Sequence, residues 1–386
     1  MGERKKTMSS LEEEPGGSNT EPAIYKNDII VEENWHTACR NSFKNIDDLS
    51  KIFPLTEETK QLLKQVVKTF HMRIPLYYLS LIRDPSNASD PIRKQCIPSV
   101  DELQWQIHEK IDPLGEEKTS PIPCLVHRYP DRALLLATGR CFMYCRYCTR
   151  KRLWRSRIPE PTLKDIDLAL TYVRENKDIR EIIVSGGDPL TLSTERLDYI
   201  LSSIANVNNI QAVRIGTRAP VVFPQRIDDN LCKVLSKYEN LWINTQFNHP
   251  WEITPGATLA CKKLQRCGIP VSSQSVLLKG VNDNLSVMLE LCQKLQSIRV
   301  RPYYLYQCDP VVGASHFRTS IWKGIELMEE LRGHTGGMCI PTFVVDGTEG
   351  KGKIPLGPNY LLSVSPEGLI LRNYKNEAFF YYNPKD

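Results

Sequence analysis

Ala133-Leu-Leu-Leu-Ala-Thr-Gly-Arg-Cys-Phe-Met-Tyr-Cys-Arg-Tyr-Cys-Thr-Arg150 joins a short apolar run to three closely spaced cysteines. The run Leu134–Thr138 has the length and apolarity of a buried strand, and Gly139 then turns the chain into a loop. Cys141, Cys145 and Cys148 follow with C-x3-C-x2-C spacing. Three thiolates that close can hold three corners of an iron–sulfur cube and leave the fourth iron open for chemistry. A structural metal site normally closes its coordination with a fourth Cys or His at short spacing, and none stands nearby. The alternatives are three unrelated thiols in a reduced protein, or zinc held by the loop.

Outward from this stretch the same strand-then-loop pattern repeats. Ile182–Ser185, Ala212–Gly216, Trp242–Gln246, Pro270–Val276 and Arg301–Tyr306 recur at a βα-unit interval. Between them Leu197, Ile200, Leu201 and Ile204 carry helical spacing, as do Leu285, Met288, Leu289 and Cys292. The fold expected is α/β, a partial (β/α)6 barrel at residues 121–340 with an N-terminal helical extension. That helical region covers 25–120, with Leu62, Leu63, Val66, Val67 and Phe70 as its clearest periodic set. Residues 1–24 are polar and read as a disordered tail. Residues 341–386 form a C-terminal region, whose run Pro341–Asp346 adds a strand beside the barrel. Candidate groups fall at strand ends, which in parallel barrels converge on the carboxyl face.

Composition narrows the function. The net charge is only +5 with no long basic run, which excludes nucleic acid as a partner. No apolar stretch is long enough for a membrane span, there is no secretory leader pattern, and twelve dispersed cysteines suit a reducing cytoplasmic setting. Gly347-Thr-Glu-Gly-Lys-Gly-Lys353-Ile-Pro355 superficially resembles a phosphate-binding loop. Ile354 stands where the magnesium-ligating hydroxyl belongs, and Pro355 interrupts the required helix. The glycines instead suit a flexible arm carrying a reactive lysine.

With Tyr147 before the last cysteine, the loop resembles the signature of the radical S-adenosylmethionine (SAM) superfamily. A second likeness is more specific. His127-Arg-Tyr-Pro-Asp-Arg132, Ser185-Gly-Gly-Asp188, Arg214–Arg226, Asn248-His-Pro250, Gln274–Asp283, Ile298–Tyr304, Arg332–Thr335 and Pro341–Asp346 together resemble the lysine 2,3-aminomutase family from about Trp35 to Asn373. The resemblance implies a [4Fe–4S] cluster on Cys141, Cys145 and Cys148, with SAM on the open iron. It implies pyridoxal 5′-phosphate (PLP) on Lys353, contacted by Arg128, Tyr129 and Arg132. Gly186, Gly187 and Asp188 match the loop that receives the SAM amine, and Gln274 lies in a SAM-contacting segment.

Arg150 matches the partner of the substrate carboxylate, and Asp309 and Asp346 match two carboxylates that take the distal ammonium of lysine. The activity implied is transfer of the 2-amino group of L-lysine to C3. An arginine aminomutase, a protein-lysine aminomutase acting on an elongation factor, and a non-catalytic iron–sulfur sensor are the alternatives. A flavodoxin- or ferredoxin-type electron donor and a homo-oligomer are the partners implied. The chain departs from the family at Gln246, where lysine aminomutases carry His, and at Pro310-Val-Val-Gly-Ala-Ser-His316, beside Asp309. No cysteine follows Cys339, so the zinc-binding tail of longer relatives is not expected.

Overall fold

The structure, a computed structural model, describes residues 34–155 and 160–384. The expected disordered tail over 1–24 lies outside the described residues.

One sheet of nine strands organises the chain, its strands adjacent in sequence order. β1 (Leu125–Tyr129) and β2 (Arg132–Thr138) form an antiparallel hairpin. From β2 onward the pairing is parallel through β3 (Glu181–Gly186), β4 (Ala212–Gly216), β5 (Leu241–Thr245), β6 (Val271–Leu277), β7 (Arg301–Gln307) and β8 (Thr342–Gly347). β9 (Gly352–Pro355) then returns antiparallel to β8. Six βα units are therefore present, as expected, and the seventh apolar run continues the same sheet. A separate antiparallel sheet follows, made of β10 (Leu361–Val364), β11 (Gly368–Arg372) and β12 (Ala378–Tyr382).

Alternation along the strands explains the two faces. In β2 the buried residues Ala133, Leu135 and Ala137 alternate with the less buried Leu134 and Leu136. The buried set joins a continuous core with helix residues such as Ile166, Ala169, Leu170 and Val173. Opposite residues, including Leu134, Ile183, Arg214 and Gln274, face a lumen. The helices start where the sequence offers caps: Thr162 and Asp165 form a capping box on Leu163–Glu175, and Asn284 caps Leu285–Ser297.

β1 and β9 are the ends of the sheet, and side chains of β1 tie it to β8 and β9. Arg128 pairs with Asp346 at 3.0 Å, and the Tyr129 hydroxyl accepts the Lys353 backbone N–H at 2.9 Å. The seam of the barrel is thus made of residues singled out for chemistry. Lys353 was expected in a flexible arm; it sits in a strand instead. The glycines do their work before it, at Gly350 (φ 84°) and Gly352 (φ 88°), where the chain doubles back from β8.

The N-terminal helical region packs on the cysteine loop through a buried charge cluster. Glu102 accepts from Arg146 at 2.6 Å and from Lys151 at 2.9 Å, and all three side chains are at most 2% exposed. Removing Glu102 would leave two buried cations without their counter-charge.

Candidate active site

A cavity of about 870 Å³ runs through the barrel, and every site residue named from the sequence lines it. Cys141, Cys145 and Cys148 occupy the loop after β2. Hydrogen bonds to its backbone hold that loop: Arg73 Nη1 donates to the Cys141 carbonyl at 3.2 Å, Tyr144 N–H to the Arg73 carbonyl at 3.1 Å, and Arg146 N–H to the Gln95 carbonyl at 3.0 Å.

Two of the thiols are disfavoured as thiolates without a cation. Burial pushes the Cys141 thiol well above its ordinary range, with the neighbouring Cys148, Asp188 and Cys145 adding to it. Burial and Cys145 push Cys148 up to about 11. A positively charged iron centre would reverse this, as a metal does for any coordinating thiol. Among the described residues no three Cys, His, Asp or Glu side chains are grouped as a single ion requires. Three free thiols on one short loop, all lining the cavity, are the soft donor set that an iron–sulfur cluster takes.

The Gly-Gly-Asp loop after β3 lies directly against the cysteine loop. Gly187 N–H donates to the Thr138 carbonyl and Asp188 N–H to the Arg140 carbonyl, both at 2.6 Å. A Cβ on Gly187 would sit 2.1 Å from the Arg140 carbonyl oxygen, so only glycine permits this approach. The Asp188 carboxylate is buried and accepts from Thr217 Oγ1 at 2.7 Å, Arg218 N–H at 2.9 Å and Leu190 N–H at 3.0 Å. It anchors the start of the segment after β4, and burial raises its pKa.

At the seam, Lys353 Nζ stands 3.3 Å from Asp346 Oδ2, and Arg128 holds the other oxygen. The Arg132 guanidinium lies 3.9 Å from the centre of the Tyr129 ring. Two arginines beside a lysine amine, on the wall of a roomy cavity, fit a phosphorylated aldehyde such as PLP. Lys351 is exposed while Lys353 faces the cavity.

Asp309 receives a hydrogen bond from Thr149 Oγ1 at 2.6 Å. Enclosure raises its pKa to about 6; Thr149 and Lys353 pull downward, and Asp346 adds to the rise. Asp309 and Asp346, two carboxylates on the wall of one cavity, form a site for a cation. Arg150 is held by Glu116, which accepts from its Nη2 at 2.7 Å and from its Nε at 3.0 Å. Gln246 accepts from Arg218 Nε through its backbone carbonyl at 3.1 Å, and its side chain borders the cavity.

Several site residues were not singled out from the sequence. Glu116 and Thr149 grip the substrate-binding candidates. Arg218, by contrast, is a candidate the sequence places at a strand end; it donates to Cys145 Sγ at 2.9 Å while paired with the fully buried Glu252 at 2.6 Å. Arg214 pairs with Glu181 across neighbouring strands inside the lumen. An arginine at a lumen-facing position of a barrel strand was the available signal for Arg214; Glu116 and Thr149 offered none.

Comparison with known proteins agrees with this geometry. Residues 135–292 match the Radical SAM superfamily model, and residues 328–386 match the Lysine-2,3-aminomutase model. The chain is 49% identical to the L-lysine 2,3-aminomutase of Clostridium subterminale, over 91% of this chain and 84% of that one. It is 45% identical to the L-lysine 2,3-aminomutase of Bacillus subtilis, over 92% of this chain and 76% of the relative. The glutamate 2,3-aminomutase of Clostridioides difficile is 43% identical over 90% of this chain and 83% of its own length. A radical SAM domain brings a [4Fe–4S] cluster and SAM, and PLP belongs to the aminomutase reaction. On this agreement of sequence, barrel and cysteine loop, the chain belongs to the lysine 2,3-aminomutase family of radical SAM isomerases.

Proposed function

We propose that this protein exchanges the 2-amino group of L-lysine with a hydrogen on C3, giving L-β-lysine. The observation that carries this reading is one cavity offering Arg150 for an α-carboxylate and the pair Asp309 and Asp346 for a distal ammonium. A glutamate side chain would meet two carboxylates there and be repelled. When bound, the cluster and SAM supply one-electron chemistry able to remove a hydrogen atom from C3, and PLP supplies the carbonyl that carries the migrating nitrogen.

The chain's own residues do the binding and orienting. Cys141, Cys145 and Cys148 would hold the cluster; Gly186, Gly187, Asp188 and Gln274 would shape the SAM site. Lys353 would hold PLP, with Arg128, Tyr129 and Arg132 around it. Asp346, already 3.3 Å from Lys353 Nζ, can keep that ammonium in place whenever the lysine is not engaged. Asp309 must lose its proton to receive the substrate ammonium, and the incoming cation favours that loss.

A flavodoxin- or ferredoxin-type protein is the proposed source of the electron, and a homo-oligomer the proposed assembly. A cytoplasmic setting is proposed from the twelve cysteines, all of them free. Among the described residues no helix is long and apolar enough to cross a membrane. The test is anaerobic reconstitution with iron, sulfide, SAM and PLP, followed by separate incubations with lysine, arginine and glutamate. β-Lysine from the lysine sample is expected. A β-amino acid from arginine or glutamate alone would overturn the substrate assignment.

A further inference from the structure

Arg150 is caught between the cavity and a carboxylate that is not part of the barrel. Glu116 lies just before the turn Glu117–Thr119, upstream of β1. Its side chain is 6% exposed and takes the Nε and Nη2 edge of the Arg150 guanidinium. Its second oxygen accepts from Arg152 Nη2 at 2.6 Å. Two arginines side by side, together with burial, define the carboxylate's state: they hold Glu116 down to about 2, against the opposing effect of burial. Among the described residues Arg150 Nη1 makes only long contacts, 3.3 Å to Ser185 Oγ and 3.4 Å to the Gly186 carbonyl, both on the cavity wall. One edge of the guanidinium is therefore committed, and the other faces the space where a substrate would lie.

The segment carrying Glu116 is also fixed to the loop that leads to Lys353. Glu349 N–H donates to the Pro113 carbonyl at 2.9 Å, and Lys110 pairs with Glu349. At Gly115 (φ 63°) a Cβ would lie 3.1 Å from the Glu349 backbone, so the two segments touch main chain to main chain.

We infer that Glu116 is a positioning residue for substrate recognition: by binding the Nε/Nη2 edge of Arg150, it fixes the guanidinium with its Nη1 side toward the cavity, where it meets an α-carboxylate. Arg152 keeps Glu116 on that edge, so the internal carboxylate orients Arg150 without taking the substrate's place. The opposite arrangement, a carboxylate that plugs Arg150, would make the loss of Glu116 improve binding. The inference rests on the proposed role of Arg150, and the test separates the two.

The reconstituted holoenzyme is prepared as wild type, Glu116→Gln, Arg150→Gln and the double variant. Lysine affinity is measured by anaerobic equilibrium dialysis without reductant, and KM and kcat by β-lysine formation. Glu116→Gln is expected to raise Kd and KM for lysine about tenfold, the worth of one charge-assisted hydrogen bond, with kcat within about twofold. The double variant should be no worse than Arg150→Gln alone, because Glu116 acts only through Arg150.

If Arg150→Gln leaves lysine affinity unchanged, the carboxylate role of Arg150 fails and takes the inference with it. If Arg150→Gln weakens binding but Glu116→Gln does not, or strengthens it, Glu116 does not position Arg150. A full additional loss in the double variant would show a general structural role and equally overturn the inference. Should Glu116→Gln lose its cluster, Glu116→Asp replaces it; the shorter carboxylate should raise Kd by a smaller factor, and an unchanged Kd would refute the proposal.

Discussion

Asp309→Asn separates stability from function at one atom. In the folded protein the Asp309 carboxyl titrates at about 6, against an ordinary value of 3.8, chiefly because protein encloses it. Between those values the folded protein keeps a proton that the unfolded chain releases. Stability therefore falls as pH rises through this window and levels off above about 6. The difference of about two units corresponds to roughly 3 kcal/mol, and water in the cavity screens part of it, leaving about 2 kcal/mol. Asparagine removes that cost and can still accept from Thr149.

Thermal melting of the substrate-free protein should therefore rise by roughly 3 °C at pH 8. At pH 5, midway through the window, the rise should be about half as large, and it should nearly vanish only below 3.8, where the unfolded chain is protonated too. Lysine KM should meanwhile increase roughly 10–100-fold, since the substrate ammonium loses a buried charged partner. In the wild type, kcat/KM for lysine should drop as pH falls through about 6. An equal melting shift at both pH values would refute the charge argument. An unchanged KM would refute the role of Asp309 in holding the ammonium.

Other expectations follow from the same geometry. Lys353→Ala should abolish the pyridoxyl mass that borohydride reduction leaves on the wild type while the iron–sulfur absorbance survives; Lys351→Ala, altering an exposed neighbour, should keep both. Gly187→Ala places a methyl against the Arg140 carbonyl oxygen, where 2.1 Å is available, and should destabilise the protein by about 2–3 kcal/mol with loss of bound iron. A normal melting temperature and full iron content in that variant would contradict the close approach of the two loops.

Much of the architecture was legible because its signals are local. The parallel strands are short apolar runs between amphipathic helices, and glycines and caps mark their ends. The antiparallel closing strands were not legible. β1 contains His127-Arg-Tyr129, which lacks an apolar signature, and β9 begins Gly-Lys, which reads as a flexible arm until Tyr129 is placed opposite it. Glu116 stayed hidden for a related reason: its partner Arg150 lies 34 residues on, and nothing in Gly-Glu-Glu-Lys announces a buried carboxylate. Conversely, Asp188 was legible as a loop residue, but its bonds to Thr217 and Arg218 depend on the neighbouring strand end.

The proposed reaction moves nitrogen from C2 to C3 within a single lysine molecule. It is tested most directly by giving the reconstituted enzyme L-lysine labelled with nitrogen-15 at the 2-amino group, mixed with unlabelled lysine carrying deuterium at C3. Product β-lysine analysed by mass spectrometry and nuclear magnetic resonance should carry nitrogen-15 on C3 of molecules that began with it, with no exchange of nitrogen between the two pools. Nitrogen-15 scrambled between the pools, or lysine returned unchanged while arginine or glutamate is converted, would contradict it.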